Sequence, residues 1–203
     1  TPTETPTPTV TETPTVTETQ TPTPTPSTAI PSSGFTINVF ESGADVVWSG
    51  SGSFNTTDLV LFDVISNPVT GGFYAPDALF GCGGDQPGAN VYSGSTFTKP
   101  ATFGTGSTVT IPIGSGDYFG IFSMTGITSL ALSTGYTSNT QISGTSTYTA
   151  TTISSMGLTP GTYVYTWGSG INADSLTLII NGSSPSPTPT QTLTETPTGT
   201  PSV

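Results

Sequence analysis

Threonine alternates with other residues at both ends of this sequence, and the alternation limits what those segments can fold into. From Thr1 to Thr25 every odd position is Thr, and from Ser184 to Ser202 every even position is Thr or Ser. Pro recurs between them and removes the backbone donors that a helix or a central strand needs. Such segments also bury little apolar surface. We therefore expect extended, solvated Thr/Pro-rich stalks at residues 1–33 and 182–203, on either side of one folded domain at residues 34–181.

The charge of the chain excludes several partners. The 203 residues include twelve Asp or Glu, a single basic residue (Lys99) and no His, so the formal net charge is -11. Without a basic patch nothing neutralises phosphates, and we expect no nucleic-acid partner. No apolar run approaches the roughly 20 residues of a membrane span, so we expect no direct membrane insertion. Any export signal is expected to lie outside this sequence.

The chain carries few of the side chains that catalysis uses. With no His and one Lys, the usual general base and anion clamps are missing. Asp58 with Asp63, or Asp77 with Asp85, are formal candidates for a glycosidase pair, but acids are common in loops and pairs arise by chance. The single Cys82 can form neither an intramolecular disulfide nor a thiolate zinc site, so we expect a buried or semi-buried thiol. We predict a non-enzyme without a cofactor.

Short segments rich in β-branched and aromatic residues dominate the central region. Leu176, Leu178 and Ile180 alternate with polar neighbours, a pattern typical of a strand with one face on a core. Gly, Ser and Asn separate the segments, and no long helix is indicated. The pattern predicts an all-β fold, a single antiparallel β-sandwich of the jelly-roll or Ig-like kind. The predicted strands are residues 35–41, 45–54, 58–65, 107–113, 117–122, 145–151, 162–167 and 175–180.

Turn residues predict two further features. Pro160 and Gly161 are expected to reverse the chain, with a positive φ at Gly161, and Leu158 is expected to plug the edge of the sandwich. Residues 66–90 are rich in Gly and Pro and predict a long irregular segment with at most one short strand between Phe73 and Phe80. We expect any localised functional site to lie in that segment.

Aromatic and acidic residues in and beside the irregular segment suggest two kinds of binding. An exposed ring stacks on a sugar while nearby Asp or Asn accept hydroxyl bonds, whereas Trp48 and Trp167 are expected in the core. Several oxygens without basic competitors also suit calcium, for which Asp77 and Asp85 are the candidates, although the EF-hand pattern is lacking. The candidate ligand-binding residues are Tyr74, Tyr92, Asp77, Asp85 and Asn90.

Sugar attachment is a separate possibility. Asn55 and Asn181 each begin an Asn-X-Ser/Thr acceptor pattern. Dense Thr beside Pro resembles O-glycosylated stalks, with Thr3, Thr5 and Thr7 as examples of acceptors.

Short Gly-rich motifs occur in a distinctive order along the central region. They are residues 45–52 (DVVWSGSG), 92–94 (YSG), 116–121 (GDYFGI), 135–136 (GY), 143–146 (SGTS), 158–168 and 173–178 (ADSLTL). In this order they resemble cyanobacterial surface proteins of the PEP-CTERM, exosortase-sorted class. The resemblance implies export and association with a cell surface or polysaccharide matrix, and it supplies no catalytic residues. Residues 184–203 carry Thr/Ser alternation where that class has its Pro-Glu-Pro motif, apolar helix and basic tail.

These observations predict a non-enzymatic extracellular structural or surface-display module, within a larger repetitive surface protein. The alternatives are a glycan-binding adhesin domain and a fibre, virion appendage or capsid-decoration subunit, since the Thr/Pro tracts look like those of surface-display or viral fibre proteins. Expected partners are polysaccharide or other surface proteins. A strand with a two-residue period puts all its Thr on one face, so a tract could also pair with a sheet edge of a neighbouring copy and mediate self-association. The expected location is extracellular, at a cell or virion surface.

Overall fold

The computed structural model describes residues 34–67, 69–108 and 112–181, and the Thr/Pro-rich tracts lie outside this description. Twelve strands occur in the described residues and confirm the all-β fold class. They are β1 (Phe35–Ser42), β2 (Asp45–Gly52), β3 (Val60–Ile65), β4 (Gly72–Tyr74), β5 (Leu79–Cys82), β6 (Ala89–Ser93), β7 (Ile113–Gly116), β8 (Phe119–Met124), β9 (Ile127–Ser133), β10 (Ile142–Tyr148), β11 (Gly161–Trp167) and β12 (Asp174–Ile180).

The strands form two six-stranded sheets. Sheet A has the order β11-β12-β1-β2-β10-β7, and sheet B has the order β3-β6-β9-β8-β5-β4. In β12 the side chains of Leu176, Leu178 and Ile180 are buried while the residues between them are half-buried, so the predicted alternation is confirmed. Strand β1 alternates in the same way and presents its buried face to the same core.

Aromatic rings from both sheets meet in one core. The Trp48 ring of sheet A stacks on Phe73 of sheet B with centroids 5.7 Å apart, and Phe35 meets Phe119 at 4.5 Å. Trp48 and Trp167 are each 1% exposed, which confirms their predicted core positions. Full burial of an aromatic side chain stabilises a fold by about 1.5–3 kcal/mol, so these rings hold the sheets face to face.

Gly50 allows the sheets to approach closely at one end of the core. A Cβ at this position would lie 2.4 Å from Cζ of Phe119 and 2.7 Å from Cε1 of Phe35. Both are ring atoms packed in the core, so neither ring has free space to move into. Gly50 therefore leaves the space in which the two phenyl rings meet.

One strand pairing departs from the antiparallel prediction. Strands β1 and β12 pair in parallel, with Phe35 opposite Leu176 and Val39 opposite Ile180. The other strand pairings of the two sheets are antiparallel. Strand β12 runs antiparallel to β11 and lies between β11 and β1. No local turn connects β12 to β1, so their pairing is not restricted to the antiparallel direction of a hairpin.

The prediction that residues 66–90 contain at most one short strand was wrong. This region contains β4, β5 and the start of β6, and β9 was also missed. These strands are short or are built from Gly, Ala, Ser and Leu, which have weaker β-propensity than the β-branched residues used to find strands. Their pairing comes from neighbours that are distant in sequence, such as β8 beside β5.

The turn before β11 was also placed wrongly, although its packing was right. The positive φ lies at Gly157 (φ 65°), and Gly161 is the first residue of β11. Leu158 is 5% exposed and belongs to the core, as predicted. An isolated β-bridge between Gly104 and Leu158 pairs this segment with the loop before β7, so the chain reverses at Gly157 and not at Gly161.

The buried thiol of Cys82 makes the core testable. Cys82 is 0% exposed, which confirms the predicted burial, and its Sγ donates to the Trp48 carbonyl at 3.7 Å. Burial raises its pKa to about 12, so the reactive thiolate is scarce at neutral pH.

We expect a thiol-specific disulfide reagent to modify native Cys82 at least ~10³-fold more slowly than the unfolded chain. The matched control is Ser51→Cys in a Cys82→Ala background, an exposed site on β2 that should react at once. Equal rates at the two positions in the native protein would contradict this core.

Candidate functional site

The edge strand β4 of sheet B lies beside two pockets. Successive strand residues point to opposite faces, so Phe73 is 7% exposed and packs in the core, while Tyr74 is 47% exposed. Phe73 contributes to both pockets, and Tyr74 lines only the pocket on the outer face. The two faces of this short strand therefore offer two different environments.

The larger pocket, of about 440 Å³, is named here the hydroxyl pocket. It lies between residues 105–108 and residues 148–157, with the rings of Phe73 and Tyr148 at its inner side. Among the described residues that line it, none is charged. Its hydroxyl-bearing lining residues are Thr105, Ser107, Thr108, Tyr148, Thr149, Thr151 and Ser155.

Backbone and side-chain hydrogen bonds hold the two walls of the hydroxyl pocket together. The Thr105 N–H donates to the Gly157 carbonyl at 2.8 Å, which joins one wall to the other. Within the second wall the hydroxyls of Thr151 and Ser155 lie 2.9 Å apart. In the first wall the Phe73 N–H donates to the Thr108 hydroxyl. The pocket is thus formed before any ligand arrives.

Tyr148 determines the chemistry at the inner side of the hydroxyl pocket. Burial raises the pKa of its phenol, so the group stays protonated at ordinary pH values, and the Thr108 side chain is its hydrogen-bond partner. Its ring meets Phe73 edge to face at 5.7 Å. Both rings are less than 10% exposed, so they cannot form an open stacking platform. The arrangement suits hydrogen bonding to a small neutral polar ligand better than stacking on a sugar face.

The second pocket, of about 200 Å³, is almost entirely apolar. It lies beside β4 and β5 and includes the predicted ligand residue Tyr74 with Leu79 and Phe122. The described residues that line it include no carboxylate or amide side chain. Tyr74 is therefore exposed, as expected, but the described lining of its pocket lacks the Asp or Asn acceptors that a sugar site needs.

The other aromatic candidate lies far across the same sheet. Tyr92 and Asn90 are on β6, with β9, β8 and β5 between them and the strand of Tyr74. The Asn90 amide donates to the Tyr92 hydroxyl at 3.4 Å, and the Tyr92 ring packs against the core. The fold brings these two residues together and keeps Tyr74 apart from them.

The calcium candidates are separated by a strand. Asp77 precedes β5 and Asp85 follows it, so the two exposed side chains lie at opposite ends of that strand. Across the described ranges, no group of three or more His, Cys, Asp or Glu is placed to hold a metal. The fold does not assemble a calcium site from this pair.

The candidate glycosylation sites differ in exposure. Asn55 is 6% exposed. Its side-chain Oδ1 accepts the Thr57 N–H at 3.0 Å, and its backbone N–H donates to Oδ2 of Asp174 at 2.6 Å. A buried, hydrogen-bonded amide does not favour an N-linked glycan on the folded protein. Asn181 is exposed. The O-linked candidates Thr3, Thr5 and Thr7 lie outside the described residues.

The hydroxyl pocket itself was missed by the sequence analysis. The sequence predicts a strand at residues 145–151, and the abundance of Ser and Thr there and just after it does not stand out in a Thr-rich chain. The closing contact is between Thr105 and Gly157, which are far apart in sequence. No local signal marks such a pair.

Comparison with protein-family models, with curated protein sequences and with solved structures finds no match to this chain. The resemblance to PEP-CTERM surface proteins accordingly stays a prediction. Among the described residues, no helix has the length and apolar character needed to cross a membrane.

Asp58, considered above with Asp63 as a formal acid pair, has a structural role. Its Oδ1 accepts the Asn172 amide at 2.7 Å and its Oδ2 accepts the Ser169 N–H at 2.9 Å. These bonds tie the segment before β3 to the connection between β11 and β12. Asp63 instead accepts the N–H of its neighbour Val64 at 2.8 Å. Asp63 lies within β3 and bonds its own strand neighbour, so the two carboxylates do not act as a pair.

The bonds of Asp58 predict a pH dependence of stability. The Asn172 amide is the main cause that lowers the pKa of Asp58 below its ordinary value of 3.8, with help from Ser169. Because the folded state keeps this carboxylate ionised to lower pH than the unfolded chain does, its stabilisation is present above about pH 4 and is lost as the pH falls through the lowered pKa. We expect Asp58→Asn to flatten the fall in unfolding free energy between about pH 5 and pH 2, measured by urea titration. Asn172→Ala, which removes the main donor and keeps the Asp58 carboxylate, should flatten the fall in the same way. A wild-type slope in Asp58→Asn would contradict the role given to Asn172.

Proposed function

We propose that this chain is a non-enzymatic structural or display module of an extracellular surface, whose folded region is carried in line between two Thr/Pro-rich segments. The proposal includes a single β-sandwich of jelly-roll or Ig-like kind, placed at a cell or virion surface. It also includes polysaccharide or other surface proteins as neighbours. The supporting observation is the arrangement of the first and last strands.

Strands β1 and β12 are parallel neighbours, so the chain enters and leaves at opposite ends of sheet A. Phe35 lies opposite Leu176, while Ile180 lies opposite Val39, four residues further along β1. At roughly 3.3 Å per residue, this offset separates Phe35 from Ile180 by about 13 Å along the strands. An antiparallel pair would have put both positions at one end. The folded region therefore extends the path of the chain instead of projecting from it as a side loop.

The remaining support comes from the sequence. Thr alternating with Pro favours extended, hydrated segments that hold a domain away from its anchor. The acidic net charge of -11 opposes binding to other anions and keeps the surface soluble. The ordered Gly-rich motifs are similar to those of exported surface proteins. Each of these features fits a module displayed outside the cell or particle.

Surface display is testable on intact source material. Antibodies raised against the folded region should label unpermeabilised cells or particles, because the module is proposed to stand outside the last barrier. Immunogold electron microscopy gives the measurement, with antibodies to an internal protein as the control. Labelling that appears only after permeabilisation would contradict the proposal.

A fibre or appendage subunit is the second candidate, favoured by the free edge of sheet B. Strand β3 is an edge strand, and it exposes apolar side chains on both of its faces. Such an edge offers unpaired backbone groups and apolar surface to another strand. We propose a second copy of β3, paired antiparallel, as the occupant. The exposed fractions are Val60 69%, Leu61 51%, Phe62 41% and Val64 47%.

Self-association in solution distinguishes the second candidate from the first. Because each copy carries a charge of -11, association is expected to need screening by salt. In sedimentation velocity at about 0.5 M salt, we expect wild type to form dimers, because a β3–β3 pair uses the same edge of both copies, and Phe62→Lys to remain monomeric. Val164→Lys, on the exposed edge strand β11 of sheet A, is the matched control and should associate like wild type. A wild-type monomer at high protein concentration and high salt would dispose of the fibre candidate.

A further inference from the structure

We propose that β1 and β12 form a mechanical clamp, through which the folded region resists tension applied along the chain. The clamp is defined here as the paired residues from Phe35 with Leu176 to Val39 with Ile180. This further function rests on the proposed in-line role, because only a module carried between two segments receives tension at both of its ends.

The direction of the load decides how the clamp breaks. Tension at Gly34 pulls β1 towards its own start, and tension at Asn181 pulls β12 towards its own end. Since the strands are parallel neighbours, these pulls slide one strand along the other, and the hydrogen bonds between them share the load. In an antiparallel pair pulled from one end, the bonds would open one after another. The Asn181 N–H, which donates to the Val39 carbonyl at 2.8 Å, extends the shared ladder past the end of β12.

Both strands of the clamp are also held on their outer sides. Strand β1 pairs with β2 from Thr36 opposite Ser51 to Ser42 opposite Asp45. Strand β12 pairs with β11 along its full length, from Ile180 to Asp174. Neither clamp strand is an edge strand of sheet A. Sliding β1 away therefore requires breaking two ladders at once.

Side-chain packing opposes sliding as well. The inward residues of the clamp are all at most 2% exposed. A slip of one residue would turn Thr36 and Asn38 towards the core, because the side-chain period of a strand is two. A slip of two residues would drag Phe35 out of contact with Phe54 and Phe119, whose rings lie 4.3 and 4.5 Å away. The core thus holds the register that the ladder needs. The inward residues are Phe35, Ile37, Val39, Leu176, Leu178 and Ile180.

Pulling in two directions tests the clamp. Forced unfolding is governed by the unfolding rate under load, so single-molecule force spectroscopy measures it directly. The full chain is pulled first between residues 1 and 203, which loads the clamp in shear. It is then pulled between Thr159→Cys and residue 203, which peels β12 from β11 because Gly161 and Ile180 lie opposite each other. We expect the first unfolding force to exceed the second at least about threefold. Equal forces in the two directions would overturn the clamp.

A pair of disulfides locates the resistance. Thr36→Cys with Thr177→Cys joins two directly opposed residues inside the clamp. Ser49→Cys with Thr145→Cys joins β2 to β10, outside it. When oxidised, the first pair should abolish the high-force event and the accompanying gain in length, and reduction should restore both. The second pair should keep the force and shorten only the released length. Loss of the high-force event with the second pair would place the resistance elsewhere and overturn the clamp.

The clamp and the proposed surface role fail in different experiments. A difference between the pulling directions together with a failure of surface labelling would keep the clamp and remove the surface role. Surface labelling without a difference between the pulling directions would keep the surface role and remove the clamp. The direction comparison needs no cross-link, so the clamp stays testable even if a disulfide variant does not fold.

Discussion

The parallel pairing of β1 with β12 is the constraint on which the rest of the structure depends. It joins the first and last strands of the described residues, and it places both in the interior of sheet A. Bringing such distant strands together closes a long loop, and the pairing must compensate the entropy that this closure costs. Once formed, it completes sheet A and determines where the chain enters and leaves. The in-line placement and the proposed clamp both follow from it.

Polar groups then tie the loops to this frame. The Trp167 indole N–H donates to the Asn55 carbonyl at 2.8 Å, and the Tyr165 hydroxyl donates to the Ala78 carbonyl at 2.9 Å. Each bond links β11 of sheet A to a segment that leads into sheet B. Buried donors satisfied in this way cost little and fix the sheets relative to each other. Asp58 does the same at the surface, where it ties two connections together.

The two edges of sheet B present different surfaces. At β4, a pocket with uncharged hydroxyl groups and two nearly covered rings suits a neutral polar ligand. At β3, exposed aliphatic and aromatic side chains suit another strand. Neither edge bears on the clamp, which lies in the interior of sheet A. The proposed clamp and the proposed association can thus be altered independently of each other.

Composition and local pattern alone determined the fold class, the buried face of β12, the core positions of the two Trp residues and the burial of Cys82. These properties follow from alternation and side-chain polarity, which act over a few residues. Tertiary structure alone decided the parallel partner of β1, the strands within residues 66–90 and the closure of the hydroxyl pocket by Thr105 and Gly157. It also decided that Tyr74 and Tyr92 lie apart and that Asn55 is buried. The physical reason is that each of these depends on which distant strands share hydrogen bonds, and no short segment of sequence records its partner.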